Sequence, residues 1–194
     1  MLAQLTTIKS RLALTVTDFD DLLTNAIKSV SARFDNECNR TFTRAVNATY
    51  EFNAEEIELR PLCYPVESVS KFELKNNETD GWSEQTGVEY LIRRQCVISL
   101  SSPLRTPNSA LCAARLTYTG GYVLPGTSPG AGQTALPDDL EQAAVEQVAF
   151  WYQNRDKLGL VRIWPHDGTY ETFAQLDLLR EVKAVLRKYE SWGG

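Results

Sequence analysis

Nucleophilic and acid–base chemistry near neutral pH draws first on histidine, and this 194-residue sequence has one, His166. A Ser-His-Asp or Cys-His site would have to be built on it. His166 stands in Trp164-Pro165-His166-Asp167-Gly168, a linker punctuated by proline and glycine, so the plain reading is a loop histidine. The four cysteines, Cys38, Cys63, Cys96 and Cys112, form no CxxC or CxxH pair, and the spacing of a structural zinc site is therefore missing. No secretory leader is legible at the N-terminus, so the expectation is four reduced, mostly buried thiols in a cytoplasm. Asp18-Phe19-Asp20-Asp21 offers three carboxylates, but the calcium-loop spacing with its later Glu is absent, and acids at a helix N-terminus explain them more simply. Gly130-Ala131-Gly132-Gln133-Thr134-Ala135 matches the dinucleotide fingerprint in letters only: a Gly/Pro loop precedes it where a strand is needed, and Pro137 starts the next helix too late. The sequons at Asn39, Asn47 and Asn77 are read as coincidence, since no leader accompanies them. The expectation is a protein that is not an enzyme, with no catalytic residue, no cofactor and no metal.

Composition narrows the classes further. Hydrophobic residues at 43% and charged residues at 23% suit an ordinary globular core rather than a disordered chain. The net charge of −5 argues against a nucleic-acid-gripping domain, whose affinity rests on phosphate neutralisation. No run approaches the roughly 18 apolar residues of a membrane helix.

The periodicity gives an α+β order. Thr6 to Leu14 reads as a short amphipathic helix capped by Thr6 or Thr7. A stronger helix runs from about Asp18 to Asn39, capped by Thr17, with Phe19, Leu22, Leu23, Ala26, Ile27, Val30, Phe34 and Cys38 as its apolar stripe. From Arg44 the period changes to two, with Val46, Ala48, Tyr50 and Phe52 on one face. Further strands are read at 56–60, 69–74, 88–93, 96–100 and 114–119, with a turn at 76–81 from which Trp82 begins the return. Aromatic residues such as Tyr50, Phe52, Tyr64, Phe72, Tyr90 and Tyr118 are taken as core rather than as a stacking surface. The stretch from Gly120 to Leu136 is too rich in Gly and Pro for a helix or a central strand. Pro137 then suits a first helical position, with Asp138, Asp139 and Glu141 in the first turn and Leu140, Ala143, Ala144, Gln147, Val148 and Trp151 as the buried stripe. A last helix is read from about Tyr170 to Tyr189. These elements predict a helical bundle formed by the N- and C-terminal helices, with an inserted small antiparallel β-sheet domain: 1–42 a helix pair, 43–120 the β-rich insertion, 121–136 a Gly/Pro loop, and 137–194 helices completing the bundle.

Three segments carry a family likeness. The first is the opening pair Ile8-Lys9-Ser10-Arg11-Leu12-Ala13-Leu14 and Thr17-Asp18-Phe19-Asp20-Asp21-Leu22-Leu23, closing on Asn36-Glu37-Cys38-Asn39-Arg40-Thr41. The second is Leu116-Thr117-Tyr118-Thr119-Gly120-Gly121-Tyr122. The third is Leu136-Pro137-Asp138-Asp139-Leu140-Glu141-Gln142-Ala143, running into Trp151-Tyr152-Gln153-Asn154-Arg155. In this order the chain resembles the head–tail connector (adaptor) family of long-tailed bacteriophages and gene-transfer agents. No motif falls between Asn53 and Leu111.

The resemblance implies a structural protein of the virion neck, made in the host bacterial cytoplasm. It implies self-assembly as a ring, often dodecameric, under the portal protein, and a docking surface for the tail-side neck, stopper or tail-completion protein. Genomic DNA would pass through the ring without sequence-specific binding, and no membrane is involved. The contact residues expected are Tyr122 and Leu124 in the Gly/Pro loop, Trp151, Tyr152 and Arg155 at the end of the third helix, and Arg180, Lys183, Arg187 and Lys188 on the last. The rival readings are another head-completion or tail-terminator protein, or a ligand- or carbohydrate-binding module with its site in the β insertion.

Overall fold

The computed structural model describes residues 1–77, 79, 81–104, 113–156 and 177–191. The expectations for His166, for Cys112 and for the stretch 157–176 lie outside the described residues. The chain is an α+β protein of two compact units, Met1–Cys38 with Leu136–Glu190 and Asn39–Ala135 with Ser191–Gly194.

The first unit is helical: α1 (Leu5–Arg11), α2 (Asp20–Glu37), α3 (Asp138–Gln153) and α4 (Arg180–Leu186). α3 packs against each of the other three. α2 buries Leu23, Ile27, Val30 and Phe34, one face of a 3.6-residue period. Leu22, also read into that stripe, falls outside it and is exposed. The helix ends differ from expectation. α1 is capped at Gln4 without a side-chain bond, so Thr6 and Thr7 are inside the helix. It stops at Arg11, and Ala13 just beyond has φ +54°, which a continuing helix cannot accommodate. Phe19 holds the N-cap of α2, and Thr17 contributes its carbonyl rather than its side chain, accepting the Asp20 N–H at 3.0 Å. Pro137 is the N-cap of α3, not its first turn: ψ of 136° keeps it extended while its carbonyl takes the N–H groups of Leu140 and Glu141. α4 is shorter than the period suggested, because Leu179 is still extended and the helix begins only at Arg180.

The second unit is β. A four-stranded antiparallel sheet has the order β1 (Ala45–Asn53), β7 (Ala113–Gly120), β3 (Val66–Lys75), β4 (Ser83–Gln85). A three-stranded sheet has the order β2 (Glu58–Leu59), β6 (Val97–Leu100), β5 (Tyr90–Arg93). The single sheet expected from the pattern is thus two, because the long β7 takes both β1 and β3 as neighbours and the short strands pair among themselves. Phe52, Leu59, Phe72, Leu74, Ile98, Leu100, Leu116 and Tyr118 form one core drawn from both sheets. The stretch read as loop holds a small parallel pair, β8 (Tyr122–Val123) with β9 (Thr134–Ala135), its glycines and prolines falling between the two strands.

β1 does not keep the expected alternation. Tyr50 and Phe52 face inward, but a bulge between Ala45 and Ala48, with Asn47 at φ +56°, inserts an extra residue. That shift leaves Val46 61% exposed and turns Ala45 inward, as a bulge must.

At Gly120 and Gly121 neighbouring backbone leaves no room for a side chain. A Cβ at Gly120 would collide with the Cys63 carbonyl and lie 2.9 Å from that of Pro65. One at Gly121, whose φ is +98°, would lie 2.7 Å from the Thr43 carbonyl. Gly121→Ala is expected to cost about 2–4 kcal/mol of unfolding free energy, read from urea denaturation of the purified chain; a change below about 0.5 kcal/mol would mean that the neighbouring strands give way freely.

Candidate interaction surfaces

The residues expected at interfaces fall into two groups, one in each unit. In the β unit, Tyr122 is an internal residue. Its N–H donates to the Phe42 carbonyl at 2.8 Å, its carbonyl accepts the Arg44 N–H at 3.0 Å, and its ring stacks on Phe42. The guanidinium of the buried Arg40 lies among Tyr64, Phe42 and Tyr122 and donates to the Tyr64 carbonyl, and its Nε has no partner among the described residues. The π faces offset part of the cost of burying that charge. Leu124, two residues on, is partly exposed.

In the helical unit, Trp151, Tyr152 and Arg155 come together at the end of α3. Tyr152 is buried against Phe19 in an edge-to-face contact at 5.5 Å. Arg155 is exposed, extends over the Tyr152 ring at 4.7 Å and donates to the Tyr152 carbonyl. Trp151 is half-buried under the Arg33 guanidinium at 5.6 Å, and its enclosed indole N–H has no acceptor among the described residues. Sequence reasoning did not single out Phe19 and Arg33 as partners of this cluster, since they come from α2, remote along the chain.

The four basic residues near the C-terminus separate by role. Lys183 donates to Asp177 Oδ2 at 2.6 Å, and Lys188 approaches Asp139 at 3.5 Å. Tyr189 donates to the other Asp139 oxygen at 2.6 Å. The hydrogen bonds from Lys183 and from the Leu178 N–H hold the Asp177 carboxyl below the usual carboxylate range. The Asp139 contacts fasten the end of α4 to α3, and the Asp177 contacts hold the turn that leads into α4. Arg180 and Arg187 are exposed and have no ion pair among the described residues; seven positions apart, they project from one side of α4.

Of the residues weighed above for chemistry, those among the described ones make ordinary structural contacts. Asp20 pairs with Lys9 at 2.6 Å. Gly130 and Gln133 close a turn on each other, with β9 and not a helix following. Cys38, Cys63 and Cys96 form no disulfide with one another. Among the described residues no group of three or more His, Cys, Asp or Glu side chains converges on one point, and no helix is long and apolar enough to cross a membrane.

No protein-family model and no curated protein matches this sequence. Solved structures nonetheless share its fold over the whole chain, among them chains from gene transfer agent particles. A chain from the neck of an empty gene transfer agent (GTA) particle, computed with C6 symmetry, superposes with a TM-score of 0.61 at 14% identity, covering 100% of this chain and 91% of that one. A chain from the neck of the native GTA particle, computed with C12 symmetry, gives 0.58 at 15% identity over the same shares. A chain from the virion of the native particle gives 0.60 at 15%.

Gln147, fully buried on α3, ties the approach to α4: its Oε1 accepts the Leu179 N–H at 2.8 Å and its Nε2 donates to the Asp177 carbonyl at 3.5 Å. Gln147→Leu strands both backbone groups and is expected to destabilise the chain by about 1–3 kcal/mol, measured by chemical denaturation; an unchanged midpoint would mean that solvent replaces the amide.

Proposed function

We propose that this chain is a structural protein of a phage-like neck, a head–tail connector that links the DNA-filled head to the tail. The observation that carries the reading is the likeness over the full chain to chains of gene transfer agent necks, at TM-scores up to 0.61. The neck computed with C12 symmetry supports a twelve-membered ring. In this reading the helices of both chain ends form a bundle, and the β unit is an insertion in it. The portal protein lies on the head side and a stopper or tail-completion protein on the tail side. The chain is made in the host cytoplasm and takes its place at the virion neck, and it carries no enzymatic activity.

A closed ring needs two unlike faces on each subunit. Of the contact candidates, Leu124, Trp151, Arg155, Arg180, Arg187 and Lys188 offer accessible surface, whereas Tyr122 and Tyr152 are buried and act by shaping what surrounds them. Arg180 and Arg187 suit an acidic partner surface, because reversing an unpaired interfacial cation removes attraction without unpairing a buried group. The net charge of −5 suits a channel wall that DNA passes without being retained.

Electron microscopy of a lysate carrying an early stop codon in this gene is expected to show free tails beside tailless heads; normal complete particles would overturn the reading. Arg180→Glu with Arg187→Glu is expected to leave the circular dichroism spectrum unchanged and to lower the yield of complete particles roughly tenfold. A normal yield would remove α4 from the docking surface.

A further inference from the structure

The three-stranded sheet ends on β5, and among the described residues no strand pairs with its outer side. The Glu89 carbonyl accepts the Ser101 N–H at 3.0 Å, and Leu91 and Arg93 lie opposite Ser99 and Val97. Alternation along an antiparallel ladder then directs the backbone groups of Glu89, Leu91 and Arg93 toward β6, and those of Tyr90 and Ile92 outward. The side chains divide across the sheet. Tyr90 meets Phe72 at 5.6 Å and Ile92 packs on the core. Glu89, Leu91 and Arg93 occupy the opposite face, where with Ser99 and Ser101 they line a shallow groove of about 280 Å³. Leu91 is 62% exposed, the highest value among the large apolar side chains of the described residues. An unpaired edge with an apolar centre is a template for another strand.

We infer that the strand it takes is β5 of a second copy of this chain, antiparallel, about a two-fold axis through Leu91. The segment Glu89-Tyr90-Leu91-Ile92-Arg93 is complementary in charge to its own reverse. With Leu91 opposite Leu91, each Glu89 faces the other copy's Arg93. Tyr90 and Ile92, the residues with outward backbone groups, fall opposite each other and exchange hydrogen bonds. A shift of two residues in either direction keeps the backbone bonds but takes both charge pairs apart, so side chains select this register. Arg93 already meets Glu58 at 3.3 Å, but both side chains are more than half exposed, which leaves the guanidinium open to a second carboxylate. The contact is two-fold and uses one patch twice, so it is distinct from the unlike faces of a ring and does not rest on the neck reading.

Sedimentation equilibrium of the full chain over a range of concentrations tests this. A monomer–dimer equilibrium is expected. Leu91→Glu puts two carboxylates on the axis and should raise the dimer dissociation constant roughly tenfold or more, as should Arg93→Glu. Glu89→Arg combined with Arg93→Glu should restore association, since the swap preserves complementarity. Circular dichroism checks that each variant is folded. A chain that stays monomeric at every concentration overturns the inference. So does an assembly of any size that Leu91→Glu leaves intact, or a double variant as weak as Arg93→Glu alone.

Discussion

At Gly120 and Gly121 three stretches of backbone cross with no room for a side chain between them. Residues 63–66 lie on one side and 43–44 on the other, and the chain threads between as β7 gives way to β8. Hydrogen bonds lace the crossing: Gly121 N–H to the Pro65 carbonyl, Tyr122 N–H to Phe42, Arg44 N–H to Tyr122, and Cys63 N–H to the Tyr118 hydroxyl. Once that knot is tied, β7 must run between β1 and β3, and the register of both pairings follows from it. Burial pushes the Tyr118 phenol above its ordinary pKa, and its hydroxyl accepts the Cys63 N–H at 3.0 Å.

Polar groups placed inside apolar surroundings do comparable work elsewhere. In the helical unit Gln147 interrupts an otherwise apolar face and uses its amide to fix where α4 begins. On the four-stranded sheet Glu73 is buried, and hydrogen bonds from Lys71 and from Arg115 hold its carboxyl below the usual range against the cost of desolvation. Arg115 in turn lies under Trp82 at 4.2 Å. Each of these groups has a satisfied, directional partner, so each specifies a geometry that hydrophobic burial alone would leave loose.

Much of this was legible in the sequence, because the two periods are strong. The stripe of α2, the apolar face of α3, the β5–β6 hairpin and the strand β7 follow from spacing, though not the place of β7 between β1 and β3. What spacing could not reveal has local physical causes. The bulge near Asn47 turns Val46 to solvent by adding a residue, and a period-two pattern carries no mark of such an insertion. Proline and glycine forbid a long strand between 121 and 136 but not two strands of two residues each. Caps were misassigned because Thr6, Thr7 and Thr17 have the right chemistry, while backbone carbonyls and the extended Pro137 already fix the helix starts. Among the candidate contacts, exposure could not be read from residue type: Tyr122 and Arg155 look alike as interface anchors, yet one is core and the other surface. The choice of partner for Trp151 and for Arg40 depends on residues brought together only by the fold.

The same distinction explains how a fold persists at 14% identity over the full chain. About one position in seven is then shared, too few to preserve individual contacts. A hydrophobic period survives almost any exchange among apolar residues of similar volume, and strand pairing uses backbone groups that every residue except proline supplies. The positions that cannot drift are those where backbone meets backbone or where one polar group satisfies another in the interior. In this chain those include Gly120, Gly121, Gln147, Glu73 and the Tyr118–Cys63 pair. Surface residues are under no such constraint from folding. The charges that flank Leu91 and the exposed Arg180 and Arg187 therefore have room to answer to binding.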